Sequence, residues 1–105
     1  MENIIMITGA TAGFGRATAV KFASNGYNVI ITGRRKERLD ELEEDLSAFN
    51  IKVHKLNFDV RRREETEKAV GNLPAEWKNI DILVNNAGLA VGLSHINDGN
   101  TDDWD

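Results

Sequence analysis

The chain has 105 residues, 41% of them hydrophobic and 29% charged, with a net charge of -4 and no cysteine. That length suffices for one small domain with its own core. The composition excludes a disulfide framework and a thiolate metal site, and the acidic balance argues against generic nucleic-acid binding.

No apolar run approaches the ~20 residues of a membrane span, and the N-terminus lacks the segments of a secretory leader. The expectation is a cytoplasmic protein without a membrane partner. The two histidines, His54 and His95, match no metal spacing, so no metal is expected.

In chain order, strand and helix patterns alternate. Residues 3–8 ("NIIMIT") are a continuous apolar run, as in a strand covered on both faces. The pattern predicts a helix over 14–25, with Phe14, Ala17, Val20, Phe22 and Ala23 as its apolar side and Asn25-Gly26 as its stop. Residues 28–32 ("NVIIT") read as a second buried strand. A helix over 35–48 places Leu39, Leu42, Leu46 and then Phe49 on one face.

Residues 51–58 alternate imperfectly. Ile51, Val53 and Lys55 fall on one side and Lys52, His54 and Leu56 on the other, as at a sheet edge. A third helix is expected over 61–73, with Ala69, Val70 and Leu73, and a fourth strand over 80–85 ("IDILVN"). The order β-α-β-α-β-α-β allows parallel pairing. Right-handed crossovers then give an α/β fold, a partial doubly wound parallel sheet of order 3-2-1-4 with helices on both faces.

The first strand runs into "TGATAGFG", with glycines at Gly9, Gly13 and Gly15. A glycine turn between strand and helix is an anion site, because the helix N-terminus offers unpaired N–H groups and partial positive charge. Glycine also lets the backbone approach a pyrophosphate without a Cβ in the way. The spacing is G-x-x-x-G-x-G, and the competing reading is a tight turn that binds nothing.

The end of the second strand is the next test. In dinucleotide folds an acid there binds a ribose 2′-OH, whereas an arginine suits a 2′-phosphate. The sequence reads "ITGRRKER", with Arg34 and Arg35 in that place. Four cations (Arg34, Arg35, Lys36, Arg38) open a helix whose N-terminus is already positive, with only Glu37 among them and the other acids after them. A bound phosphate resolves that conflict and predicts NADP over NAD. The alternative is a solvated face held by local pairs, namely Lys36–Asp40, Arg34–Glu37 and Arg38–Glu41. The cluster Arg61-Arg62-Arg63 is read as a solvated helix start with no ligand role.

These residues resemble the short-chain dehydrogenase/reductase (SDR) family. "TGATAGFG" matches its T-G-x-x-x-G-x-G motif. "NNAG" at Asn85 to Gly88 matches its second hallmark, and Asp59-Val60 matches the pair that contacts adenine. The resemblance covers the whole chain. "LPAEWKNIDILVNNAGLA" is similar to the NADP-dependent subgroup acting on serine, allo-threonine and 3-hydroxy acids.

The resemblance implies a Rossmann fold and these roles. Gly9, Ala10, Thr11, Ala12, Gly13 and Phe14 would wrap the pyrophosphate and adenosine ribose, and Gly15 would allow close helix–strand packing. Arg34 and Arg35 would hold the 2′-phosphate of NADP, and Asp59 and Val60 the adenine. Asn86, Ala87 and Gly88 would line the adenosine side and tie the first and fourth strands together.

The family's chemistry uses a serine, and a tyrosine four residues before a lysine. The single tyrosine here is Tyr27, followed four residues on by Ile31, and Ser94 lies too early. The expectation is therefore an NADP-dependent oxidoreductase represented by its N-terminal cofactor-binding half (1–105). No catalytic residue is present, and a small-molecule substrate is expected only in a longer form. The alternative is a non-catalytic NADP-binding or assembly module. A methyltransferase-type fold is disfavoured by Gly33-Arg34-Arg35. The apolar edge "ILVN" is expected to drive a homo-oligomer, and the tail 92–105 to be partly disordered.

Overall fold

A computed structural model describes residues 3–59 and 62–86. The elements are β1 (Ile4–Thr8), α1 (Gly13–Ser24), β2 (Asn28–Gly33), α2 (Lys36–Leu46), β3 (Val53–Asn57), α3 (Arg63–Gly71), a short 3-10 helix (Ala75–Trp77) and β4 (Ile82–Asn85). The strands form one parallel sheet in the order β3-β2-β1-β4, as the alternating pattern predicts. The 3-10 turn was not expected. Pro74, with its φ fixed near the helical value, precedes it, and Trp77 at its end is buried.

Two-residue periodicity sorts the strand side chains into two cores. Ile5, Ile7, Val29 and Ile31 point to the side covered by α1 and α2, where they meet Ala19, Ala23, Leu39, Leu42 and Leu46. Ile4, Met6 and Ile30 point to the other side, against Val70, Leu73, Trp77 and Ile80. β1 and β2 are buried along their whole length, which explains why they read as continuous apolar runs. β3 and β4, at the two edges of the described sheet, are only half-buried through most of their length.

The leucine face of α2 is as expected, and the apolar side of α1 is so only in part: Ala23 is buried and Val20 and Phe22 pack against the core. Phe14 is 82% exposed and Ala17 is exposed too, whereas the buried positions are Gly15, Ala19 and Ala23. The reason is steric. A helix that must lie close against a glycine turn presents small residues there, spaced four apart, while Val20 and Phe22 pack partly buried against the same core and Phe14 faces outward. Two bonds fix the start of the sheet: the Ile4 N–H donates to Asp81 Oδ2 at 2.8 Å, and the Asp81 N–H donates to the Ile4 carbonyl at 2.9 Å. On β3, His54 lies against the Trp77 ring at 5.3 Å, and burial pushes its pKa below the ordinary value.

Val60, Ala87, Gly88 and the tail 92–105 lie outside the described residues. Among the described residues, no helix is long and apolar enough to cross a membrane.

Candidate functional site

The site forms at the carboxyl ends of β1 and β2, beside the β1/β4 boundary at which the strand order reverses. β1 ends at Thr8, and Gly9 turns the chain with φ +62°, a conformation that costs other residues about 1–2 kcal/mol. The Ala10 N–H donates to the Thr32 carbonyl at 3.1 Å and the Ala12 N–H to the Gly9 carbonyl at 3.2 Å, which fastens the turn to β2. Ala10 is thereby fully buried. α1 starts without a side-chain cap and without an acid in its first turn. Its first helical bond runs from the Arg16 N–H to the Ala12 carbonyl at 2.8 Å. The N–H groups of Gly13, Phe14 and Gly15 precede that bond, so they are the helix's unpaired donors.

The glycines divide the work. A Cβ at Gly13 would meet nothing within 4 Å, so its face of the turn is open to a ligand. A Cβ at Gly15 would collide with the Gly9 carbonyl oxygen, and would lie 2.9 Å from Ala10 Cα and 3.0 Å from Asn86 Nδ2. Gly15 is therefore a packing glycine, as expected. Gly33 plays a similar part at the end of β2, where a Cβ would lie 3.2 Å from Thr11 Cγ2. That pairing of Thr11 with Gly33 has no signature in spacing, because it joins two separate crossovers.

Thr11, Ala12, Arg34, Arg35 and Arg38 line one cleft of about 280 Å3. Arg34 and Arg35 thus share a cleft with Thr11 and Ala12 of the glycine turn. Of the local ion pairs that could have explained them, Lys36–Asp40 forms at 2.9 Å, whereas among the described residues Arg34, Arg35 and Arg38 have no carboxylate partner. Asp40 is instead held by Lys55 at 2.7 Å and Lys36, which together keep its carboxyl below the usual range. Arg62 and Arg63 pair with Glu65 and Glu67 at 3.4 and 3.1 Å, which suits a solvated helix start.

On the other side of β1, the Thr8 hydroxyl donates to Asn85 Oδ1 at 2.9 Å. That bond adds a side-chain tie to the backbone ladder between β1 and β4. Asn86 sits beside Gly15 with a buried Nδ2 that has no hydrogen-bond partner, and Thr32 Oγ1 is buried and unpartnered as well. Asp59 is half-buried after β3, and its carbonyl accepts from the Arg62 N–H at 2.9 Å. A Thr8→Val chain keeps the shape and loses the donor, and should be destabilised by about 1–3 kcal/mol in urea titration. An unchanged midpoint would mean that the tie is immaterial.

Tyr27 is placed far from this cleft. It precedes β2, at the opposite end of the strands, with its ring edge-on to Phe22 at 4.9 Å.

The geometry has close counterparts. The NADP-dependent 3-hydroxy acid dehydrogenase YdfG of Escherichia coli K12 is 49% identical over 102 residues, covering 97% of this chain and 40% of that protein. Serine 3-dehydrogenase of Rhizobium radiobacter is 50% identical over 105 residues, covering 99% and 41%. Among solved structures, serine dehydrogenase from Escherichia coli superposes with a TM-score of 0.74 at 48% identity, over 96% of this chain and 45% of that one. The chain spans about 40% of the length of the curated relatives it matches. The short chain dehydrogenase family model matches residues 3–105, and the chain belongs to that family.

Proposed function

We propose that this chain forms the cofactor-binding part of an NADP-dependent oxidoreductase acting on the CH–OH group of a small hydroxy acid. One observation carries the reading: Arg34 and Arg35 share a cleft with the Thr11-Ala12 part of the glycine turn, exposed and without a carboxylate partner among the described residues. Unpaired guanidiniums at a helix start are electrostatically unfavourable unless an anion joins them.

The remaining features fit a dinucleotide. Gly13 leaves room for a pyrophosphate beside the unpaired N–H groups of α1. Buried, unpartnered Asn86 Nδ2 is a donor in search of an acceptor. In the proposal, Gly9 to Phe14 hold the pyrophosphate and ribose, and Arg34 and Arg35 grip the 2′-phosphate bidentately. Asp59 and Val60 take the adenine, and Asn86, Ala87 and Gly88 the adenosine side. When bound, the nicotinamide gives or accepts a hydride. The described residues orient the cofactor and supply no proton donor near it, since Tyr27 lies at the other end of the sheet. The serine dehydrogenase of one solved relative is complexed with NADP+, and it superposes with a TM-score of 0.73 at 48% identity.

The finer parts of the proposal are the hydroxy-acid substrate, which rests on the names of the relatives, and self-association through the β4 edge. A single-chain mass at high concentration would refute the latter.

The test is calorimetric titration of the chain with NADP+ and with NAD+. The unaltered chain should prefer NADP+. Arg34→Ala with Arg35→Ala should weaken NADP+ binding by roughly 10- to 100-fold, as expected for losing charge-assisted bonds. NAD+ affinity should move less than about twofold. Equal losses for both cofactors would refute the 2′-phosphate assignment.

A further inference from the structure

The cleft has a third cation that neither the motif nor the strand-end position assigns. Arg38 lies three residues after Arg35, so one turn of α2 brings it to the same side of the helix. It lines the cleft together with Thr11 and Ala12. The face it occupies is independently fixed. Asp45, seven residues and two turns further along α2, bonds Arg16 of α1 across the helix pair. The side of α2 that carries Arg38 is thus the side turned to α1 and its glycine turn.

The neighbouring cation is excluded by its own partner. Lys36 donates to Asp40 at 2.9 Å, and Asp40 also accepts from Lys55 of β3 at 2.7 Å, while Lys55 reaches Glu43 at 3.0 Å. This network commits Lys36 to the far side of the helix. Arg38 has Glu41 within helical reach, yet no pair with it forms. Of the four cations opening α2, three therefore have no carboxylate partner among the described residues and share one cleft, and the fourth is neutralised outside it.

We propose that Arg38 is a specificity-determining residue for the 2′-phosphate, acting with Arg34 and Arg35. The inference rests on the NADP reading above and deepens it. A phosphate monoester carries between one and two negative charges near neutral pH and offers three acceptor oxygens. Two guanidiniums arriving from the strand end approach it from one side. Arg38, one turn along the helix, closes the other side with a further pair of N–H donors. A ribose 2′-OH offers Arg38 no such charge, so its contribution should be confined to the phosphorylated cofactor.

The experiment is titration of four chains with NADP+ and NAD+: unaltered, Arg38→Gln, Arg38→Lys and Lys36→Gln. Circular dichroism melting establishes that each variant is folded. Arg38→Gln should weaken NADP+ by about tenfold, in line with one charge-assisted contact, and leave NAD+ unchanged. Arg38→Lys should recover part of that loss, because it restores charge without the planar fork. Lys36→Gln should leave the NADP+ to NAD+ ratio where it was. If the unaltered chain shows no preference for NADP+, the underlying reading and this inference both fall. If that preference is present and survives in Arg38→Gln, the reading stands and Arg38 is refuted. A ratio altered equally by Lys36→Gln would also refute it, since a diffuse positive field would then suffice.

Discussion

Gly15→Ala lowers the stability of the fold, although alanine is the better helix former. Propensity favours the change by about 0.8–1 kcal/mol. Packing opposes it, because the new methyl would strike the Gly9 carbonyl oxygen and lie 2.9 Å from Ala10 Cα. Both obstacles are backbone, and the turn holding them is fastened to β2 through the Ala10 N–H. They can move only if α1 lifts off the sheet. Overpacking of this kind costs typically 1–3 kcal/mol, occasionally more, and the net is a loss. Gly15→Val adds two further methyls in the same place and should prevent α1 from docking at all.

Gly13→Ala provides the contrast. Its methyl would enter open space, so stability should change by less than about 0.5 kcal/mol. Cofactor affinity should nevertheless fall, since the open space is where the pyrophosphate is proposed to lie. Thermal melts of both variants, followed by NADP+ titration, separate the two roles. A Gly15→Ala chain as stable as the parent would show that the turn yields easily.

The second large effect is expected in the core between α1, α2 and the sheet. Leu42 is fully buried among Leu39, Leu46 and the strand residues Val29 and Ile31. Leu42→Ala removes its packing and leaves a cavity, at about 2–5 kcal/mol. Small domains have roughly 5–15 kcal/mol in total, so this single change consumes much of the margin. The melting temperature should fall by roughly 4–8 °C for each kcal/mol lost. Leu42→Met, which conserves volume, should cost less than about 1.5 kcal/mol. A Leu42→Ala midpoint within error of the parent would mean that α2 is held by something other than its leucine face. The Lys55–Asp40–Glu43 network is the other candidate, but it lies near the surface, where ion pairs contribute little.

Some of this was legible in the amino-acid order because it depends on local periodicity. Short apolar runs rich in β-branched residues and bounded by turn signals fit strands covered on both faces, and β1 and β2 are such strands. Leucines spaced three and four apart can face one way only on a helix, and Leu39, Leu42 and Leu46 do. Chain handedness then leaves little choice but the observed order β3-β2-β1-β4. The glycine spacing and the arginines at the end of β2 identified the place of the cleft and its charge.

Tertiary contact decided what periodicity cannot encode. α1 has too little amphipathic pattern to show which side is buried, and the close approach of the glycine turn selected Gly15, Ala19 and Ala23 over Phe14 and Ala17. Arg34, Lys36 and Arg38 are alike as sequence, each with an acid at helical spacing. Only the position of Lys55 on β3, drawing Asp40 and with it Lys36 to one side, separated the neutralised cation from those left in the cleft. Thr8 and Asn85 stand 77 residues apart and meet because β1 and β4 are neighbours in the sheet. Spacing along a chain fixes which residues share a face; which of them find a partner depends on elements that folding brings from elsewhere.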